Sequence, residues 1–385
     1  VSIRPAGMWA SLGEDKKDKE LVEDEEAQAL HTKLAASGLT KEQQDLLFNL
    51  GYFHKREAKP SWWAIFDSLG KDEEELIDDF NALAGLRAVG PASPIKKSMC
   101  RTYQFPDQET KLKVGGNATK SIAAAMIDVI DDQCGALTYK AVDDLLKRNK
   151  PRLKQQSGSI LKTDDLLAGT VQAIHRMDQT VLPIQGPPGT GKTYVTAHAI
   201  LSLVREGHRV GVASNSHEAI RNVLMACAKE NSLAKQPLNI DIVHKIGQED
   251  RYPSDSPVRR VDKNDKAESS GDVVGGTAFF FSTEPNIQKY DWLFVDEAGQ
   301  VGLANMAAMG RAARNIVLVG DPRQLPQVIQ GAHPEPANLS CLEWMLGDHA
   351  TVPAENGIFL SVTRRMHPSV CEFISEQVYE GRLRS

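Results

Sequence analysis

The chain has 385 residues, 41% hydrophobic and 25% charged, a composition that excludes a disordered, collagenous or low-complexity protein. Its net charge of -6 excludes recognition of nucleic acid through an overall basic field, so any such partner must meet a local groove. No apolar run is long enough to span a bilayer, and Cys100, Cys134, Cys227, Cys341 and Cys371 never form C-x-x-C. A cytoplasmic, reducing setting is therefore expected, with no membrane partner and no disulfide framework or zinc ribbon.

Residues 1–87 read as a helical accessory region. The run Glu14-Asp15-Lys16-Lys17-Asp18-Lys19-Glu20 suits a solvated helix face. Leu46, Leu47, Leu50 and Phe53 recur at helical spacing between Lys41 and Lys55. Trp62, Trp63 and Phe66 follow; paired tryptophans can stack bases, but burial against the neighbouring helix is the better reading. Residues 88–160 read as a small β-rich accessory module with a linker, because Pro91, Pro94 and Pro106 punctuate short segments such as Ser98–Phe105. The basic stretch Lys147 to Lys154 either touches phosphates or is plain linker.

After Thr163 the texture becomes strand–helix alternation. Candidate strands are Val181–Gln185, Arg209–Ala213, Ile240–Lys245, Asp272–Gly275, Trp292–Val295 and Ile316–Val319. Short apolar runs separated by helical patterns predict an α/β fold with a parallel sheet covered on both faces.

The first candidate strand leads into Gly186-Pro187-Pro188-Gly189-Thr190-Gly191-Lys192-Thr193, which satisfies G-x-x-x-x-G-K-[ST] and precedes a helical pattern. Its glycines let backbone N–H groups turn inward on phosphate oxygens, and the following helix adds its positive dipole end. Lys192 is predicted to reach the β- and γ-phosphates, and the Thr193 hydroxyl to ligate Mg²⁺. Farther on, Trp292-Leu293-Phe294-Val295 runs into Asp296-Glu297. Two carboxylates at the carboxyl end of an apolar strand lie where such sheets bind ligands. Asp296 suits the magnesium ion, and Glu297 suits a base that orients and deprotonates water.

Three segments together carry a family likeness. Asp296-Glu297-Ala298-Gly299-Gln300 resembles motif II of superfamily 1 helicases. Val319-Gly320-Asp321-Pro322-Arg323-Gln324-Leu325-Pro326 resembles their motif III. Thr363-Arg364-Arg365-Met366-His367-Pro368 is similar to the motif that opens their second RecA-like lobe. The combination is similar to the subgroup that includes the nonsense-mediated-decay RNA helicase. It is closer still to the helicase half of bacterial RecB-like nuclease–helicase fusions, a likeness that reaches back to His54–Trp63.

The resemblance implies a RecA-like P-loop lobe at 161–350, the start of a second lobe at 351–385, and an ATP-dependent helicase or translocase acting on single-stranded DNA or RNA. It implies that Gln324 senses the γ-phosphate and that Arg365 is an arginine finger. It also implies that Ser214, Asn215, Ser216 and Thr277 touch nucleic-acid backbone. Helix capping is the competing role for Ser216 and Thr277. Two positions depart from the family. Gly169 and Thr170 stand where a glutamine usually reads adenine, with Gln172 slightly late, and Thr363-Arg364 replaces the usual Gln-Tyr. Later helicase motifs and a nuclease constellation are missing, so the remainder of a longer chain is an expected partner. The alternatives are a nucleotide-gated binding module that does not unwind, and an AAA-type ATPase. The second is disfavoured because it expects a sensor asparagine where Gly320–Gln324 stands.

Overall fold

The computed structural model describes residues 25–59, 71, 75–76, 84–95, 98–106, 119–155, 159–246, 252, 255–261, 271–326 and 328–385. The early charge run, Trp62, Trp63 and Phe66 lie outside the described residues. Contacts divide the chain into two units, Val1–Val22 with Lys55–Asn117, and Glu23–His54 with Ala118–Ser385.

In the first unit, β1 (Arg87–Ile95) and β2 (Ser98–Gln104) form an antiparallel hairpin. The register slips between Val89 and Ser93, around Pro91, which has no N–H to give the ladder.

The second unit is built on a parallel sheet. Its strands are β3 (Val181–Gln185), β4 (Val210–Ala213), β5 (Ile242–Lys245), β6 (Val258–Val261), β7 (Val273–Gly276), β8 (Tyr290–Val295), β9 (Ala313–Gly320) and β10 (Ile358–Phe359). Their spatial order is β10-β3-β9-β8-β4-β7-β5-β6, and every pairing is parallel. Alternate side chains of one strand enter different cores. Leu293 and Val295 join Ile316 and Leu318 on one face, while Trp292 and Phe294 join Val317 and Val319 on the other. Strands β3, β4, β7 and nearly all of β8 are buried on both faces, so they read as near-continuous apolar runs.

The Trp292 face is covered by α4 (Leu166–His175), α5 (Lys192–Arg205) and α6 (His217–Leu233). The Leu293 face is covered by α1 (Lys41–Gly51), α2 (Thr119–Gln133), α3 (Lys140–Lys147) and α7 (Leu303–Gly310). Thr40 starts α1 with a reciprocal cap: its hydroxyl accepts from Gln43 N–H and its own N–H donates to the Gln43 side chain. Leu46, Leu47 and Leu50 then pack with Met126, Ile130 and Leu145.

These helices alter the expected organisation. By sequence, 1–87 reads as a helical accessory region and 88–160 as a β-rich one, yet the strands there stop at Gln104, α2 and α3 are helices, and α1, α2 and α3 complete the core of the sheet unit. Helical periodicity reveals that a face is apolar, not what covers it. The segment 351–385 also joins this unit, since Ile358 and Phe359 extend the sheet beside β3 at Ile184 and Gln185.

Candidate nucleotide site and nucleic-acid edge

Strand β3 is buried throughout and ends at Gln185, whose side chain is held from both ends. Its Nε2 donates to Ala350 O at 3.1 Å, and its Oε1 accepts from Val352 N–H at 2.8 Å. The chain then turns through the phosphate loop. Gly186 N–H donates to Gly320 O at 2.8 Å, tying the loop to the end of β9. Gly189 and Gly191 adopt φ of +78° and +82°, the left-handed region that a Cβ disfavours. No side chain caps α5 at Gly191, so its first amides are left for a ligand. Lys192 Nζ donates to Gly186 O at 2.8 Å, which holds the ammonium within its own loop.

One strand separates the loop from the acidic pair. Strand β9 lies between β3 and β8, so the two ends are two strand spacings apart, about 10 Å. Asp296 is 6% exposed, its N–H donates to Ala213 O at 2.9 Å, and its Oδ1 has no hydrogen-bond partner. Burial, and then the charge of Glu297, push its carboxyl up to about 6, against the pull of the Glu297 N–H and of Lys192. Glu297 is half-buried and adopts φ 51°, a costly conformation for a residue with a Cβ, and this turns the chain sharply at the strand end. A buried carboxylate oxygen without a donor beside a phosphate loop fits a divalent cation. Among the described residues no group of three or more His, Cys, Asp or Glu could hold a metal alone.

The loop after β9 fills the space between these parts. Asp321 is 2% exposed. Its Oδ1 accepts from Arg323 N–H at 3.2 Å, and its Oδ2 accepts from Gln324 Nε2 at 3.3 Å and from the Tyr379 hydroxyl at 2.6 Å. The segment after β10 reaches the apex of the phosphate loop. Thr363 Oγ1 donates to Pro188 O at 2.8 Å, and Arg364 N–H donates to Gly189 O at 2.9 Å. A Cβ on Gly189 would lie 2.4 Å from Arg365 Cβ, so Arg365 stands against the loop with its side chain exposed. Neither the Thr363 anchor nor Tyr379 was foreseen. By sequence, Thr363 reads only as part of a departure from Gln-Tyr, and Tyr379 carries no local signal beyond an aromatic at a helix end.

The expected nucleic-acid residues sit at strand ends β4 and β7 but differ in what they can offer. Ser214 is 3% exposed and its Oγ has no partner. Asn215 is exposed and its side-chain amide donates to Gln300 O. The Ser216 hydroxyl caps α6, accepting from Ala219 N–H at 3.1 Å. Thr277 precedes the short helix Ala278–Phe281 without capping it through its side chain, so its hydroxyl is not committed there. On α4, Gly169 is buried and Gln172 exposed. Among the described residues no helix is long and apolar enough to cross a membrane.

The profile of the AAA domain family matches residues 168–335, the span that holds the phosphate loop, Asp296-Glu297 and Gln324. The DNA replication ATP-dependent helicase/nuclease DNA2 of Gallus gallus is 27% identical over 254 residues, 61% of this chain and 25% of that protein. The Regulator of nonsense transcripts 1 homolog of Drosophila melanogaster is 26% identical over 260 residues, 57% of this chain and 22% of that protein. The chain thus spans about a quarter of the length of these relatives. Among solved structures, Arterivirus nonstructural protein 10 (helicase) in complex with DNA is 15% identical with a TM-score of 0.36, covering 59% of this chain and 45% of that one.

Proposed function

We infer function from one premise: the chain belongs to the superfamily 1 helicases, in the group of the DNA2 helicase/nucleases and the regulators of nonsense transcripts. It binds nucleotide, and in our reading it is the first motor lobe of an ATP-driven translocase on single-stranded DNA or RNA. The observation that carries this is the buried, unpartnered Oδ1 of Asp296 at a strand end two strands from the Lys192 loop.

Each residue then has a task. The loop amides and Lys192 bind the β- and γ-phosphates of ATP, for which Lys192 must leave the Gly186 carbonyl. Thr193 and Asp296 hold magnesium, which neutralises charge on the phosphates when bound. Glu297, displaced from the strand line by its φ of 51°, orients and deprotonates the attacking water. Gln324 contacts the γ-phosphate from the loop after β9, the strand between the two halves, and Arg365 supplies positive charge beside the loop apex. Asn215 and Thr277 offer polar groups to a nucleic-acid backbone across β4 and β7. Ser214 joins them only if its buried hydroxyl becomes exposed, and Ser216 contributes chiefly as the cap of α6. A second RecA-like lobe, carried by the remainder of a longer chain, completes the motor.

The test is steady-state ATP hydrolysis by the full-length protein, with and without single-stranded DNA or RNA, beside Lys192→Ala. Stimulated hydrolysis and strand displacement that Lys192→Ala abolishes are expected. Nucleotide-dependent binding of the strand without turnover would instead make the lobe a gated binding module.

A further inference from the structure

We propose that Tyr379 is a positioning residue for the nucleotide site, setting Gln324 through Asp321 and coupling it to the segment that grips the phosphate loop. The inference rests on the reading of Gln324 as the γ-phosphate contact.

Tyr379 ends α8 (Pro368–Val378), and its N–H closes that helix on Ser375 O at 3.0 Å. Its side chain is 3% exposed, and its ring lies 6.0 Å from that of Phe359 in β10. The hydroxyl passes this packing to reach Asp321 at 2.6 Å, the length of a bond between a hydroxyl and an ionised carboxylate. Burial, and then this bond, hold the phenol protonated well above its usual range, so it acts as a donor at any physiological pH.

Asp321 spends its other contacts on its own loop. Its Oδ1 fixes Arg323 N–H, and the oxygen that receives the tyrosine also receives Gln324 Nε2. One lone-pair set is therefore shared by the tyrosine and the glutamine amide. With the hydroxyl in place, three bonds hold the carboxylate in one orientation, and one N–H of Gln324 is directed at it. The amide keeps its second N–H and its carbonyl oxygen for a ligand, in one orientation instead of two. Without the hydroxyl, a nearly fully buried carboxylate loses its shortest bond and turns toward whatever donors remain.

The same segment anchors elsewhere. Thr363 Oγ1 and Arg364 N–H hold the loop apex at Pro188 and Gly189. Arg382 Nη1 donates to Thr351 Oγ1 and to Val352 O, next to the backbone that Gln185 holds. Residues 363 to 382 thus touch the phosphate loop, the Gln185 anchor and the Gln324 loop together. Through these contacts a displacement of α8 would reach Gln324 and the loop apex together.

The experiment uses the full-length protein and compares wild type, Tyr379→Phe, Gln324→Ala and the double variant. Phenylalanine keeps the ring and removes only the donor. Tyr379→Phe should lower kcat for nucleic-acid-stimulated ATP hydrolysis about tenfold, the worth of one hydrogen bond to a charged group. The KM for ATP and the affinity for a fluorescent ATP analogue should stay within about twofold, since the phosphate loop is intact. In the Gln324→Ala background the same change should alter kcat by less than about twofold, because a residue acting through another adds nothing once that one is gone. Equal losses in both backgrounds, or wild-type kcat in Tyr379→Phe, would overturn the proposal. If Tyr379→Phe folds poorly in a melting measurement, Asp321→Asn serves instead. It keeps the side-chain volume but removes the charge and leaves one acceptor oxygen for the three donors that Asp321 serves, so an unimpaired kcat there also overturns it. Should Gln324→Ala match wild type, the sensor reading itself falls and the inference with it. A normal Tyr379→Phe beside an impaired Gln324→Ala removes the inference alone.

Discussion

Gly189→Ala should destabilise the protein more than Gly191→Ala, although both glycines belong to the same loop and share nearly the same backbone conformation. At φ of +78° and +82° each alanine would carry a similar backbone penalty, about 1–2 kcal/mol. Their surroundings differ. A Cβ at Gly191 meets only Tyr194 Cβ at 3.9 Å, an ordinary contact. A Cβ at Gly189 meets Arg365 Cβ at 2.4 Å, Thr363 Oγ1 at 2.7 Å and Arg365 N at 3.1 Å, and none of these is the far end of a flexible side chain. The segment 363–365 must therefore move, and the bonds from Thr363 Oγ1 to Pro188 O and from Arg364 N–H to Gly189 O go with it. Each is worth about 0.5–1.5 kcal/mol. We expect a loss of about 1–2 kcal/mol for Gly191→Ala and about 2–5 kcal/mol for Gly189→Ala. Urea unfolding measures both, provided the slopes are unchanged. Hydrogen exchange at the Arg364 amide separates the causes, since only Gly189→Ala should deprotect it. Equal destabilisation of the two variants, with Arg364 protected in both, would refute the reasoning.

Glu297→Gln keeps the side-chain size and removes the base, so ATP binding should persist while hydrolysis by the full-length protein falls by about 10²–10⁴-fold. Retained turnover in a steady-state assay would move the base elsewhere. Binding of single-stranded nucleic acid should weaken with salt, with a log–log slope of about -0.7 per phosphate neutralised. Fluorescence anisotropy across a salt series measures the slope, and Asn215→Ala should weaken binding if the β4 end forms part of the groove. His244 is fully buried, and burial, then the charges of His217 and Arg221, push its pKa down from 6.5 to about 3. The unfolded chain therefore binds a proton that the native state refuses between those values, and stability is present above pH 6.5 and lost as pH falls. The loss is up to about 1.4 kcal/mol per pH unit, and urea midpoints of wild type against His244→Gln should show a shallower acid limb in the variant. An identical limb in both would remove His244 as its source.

The phosphate loop and the acidic pair were visible because each is contiguous: glycines and prolines shape one turn, and an apolar strand delivers Asp296-Glu297 to its own end. Strand β6 escaped notice because Val258-Arg259-Arg260-Val261 buries only its two valines, and β10 because it spans only Ile358–Phe359. Ser216 shows the limit for single residues, since a serine before a helix reads equally as a cap or as a contact, and the bond from Ala219 N–H makes it a cap. Helix α1 is legible as a helical pattern, but α2 and α3 lie in the stretch that reads as a β-rich module, and the destination of all three on the sheet depends on chain segments far away. The same holds for the grip on the site. Thr363 meets Pro188 across 175 residues of chain, and Tyr379 meets Asp321 across 58. Local periodicity and motif spacing encode what neighbours in the chain do to one another. Which distant groups share a buried hydrogen bond is decided only when burial strips water from both and leaves each the other as its partner.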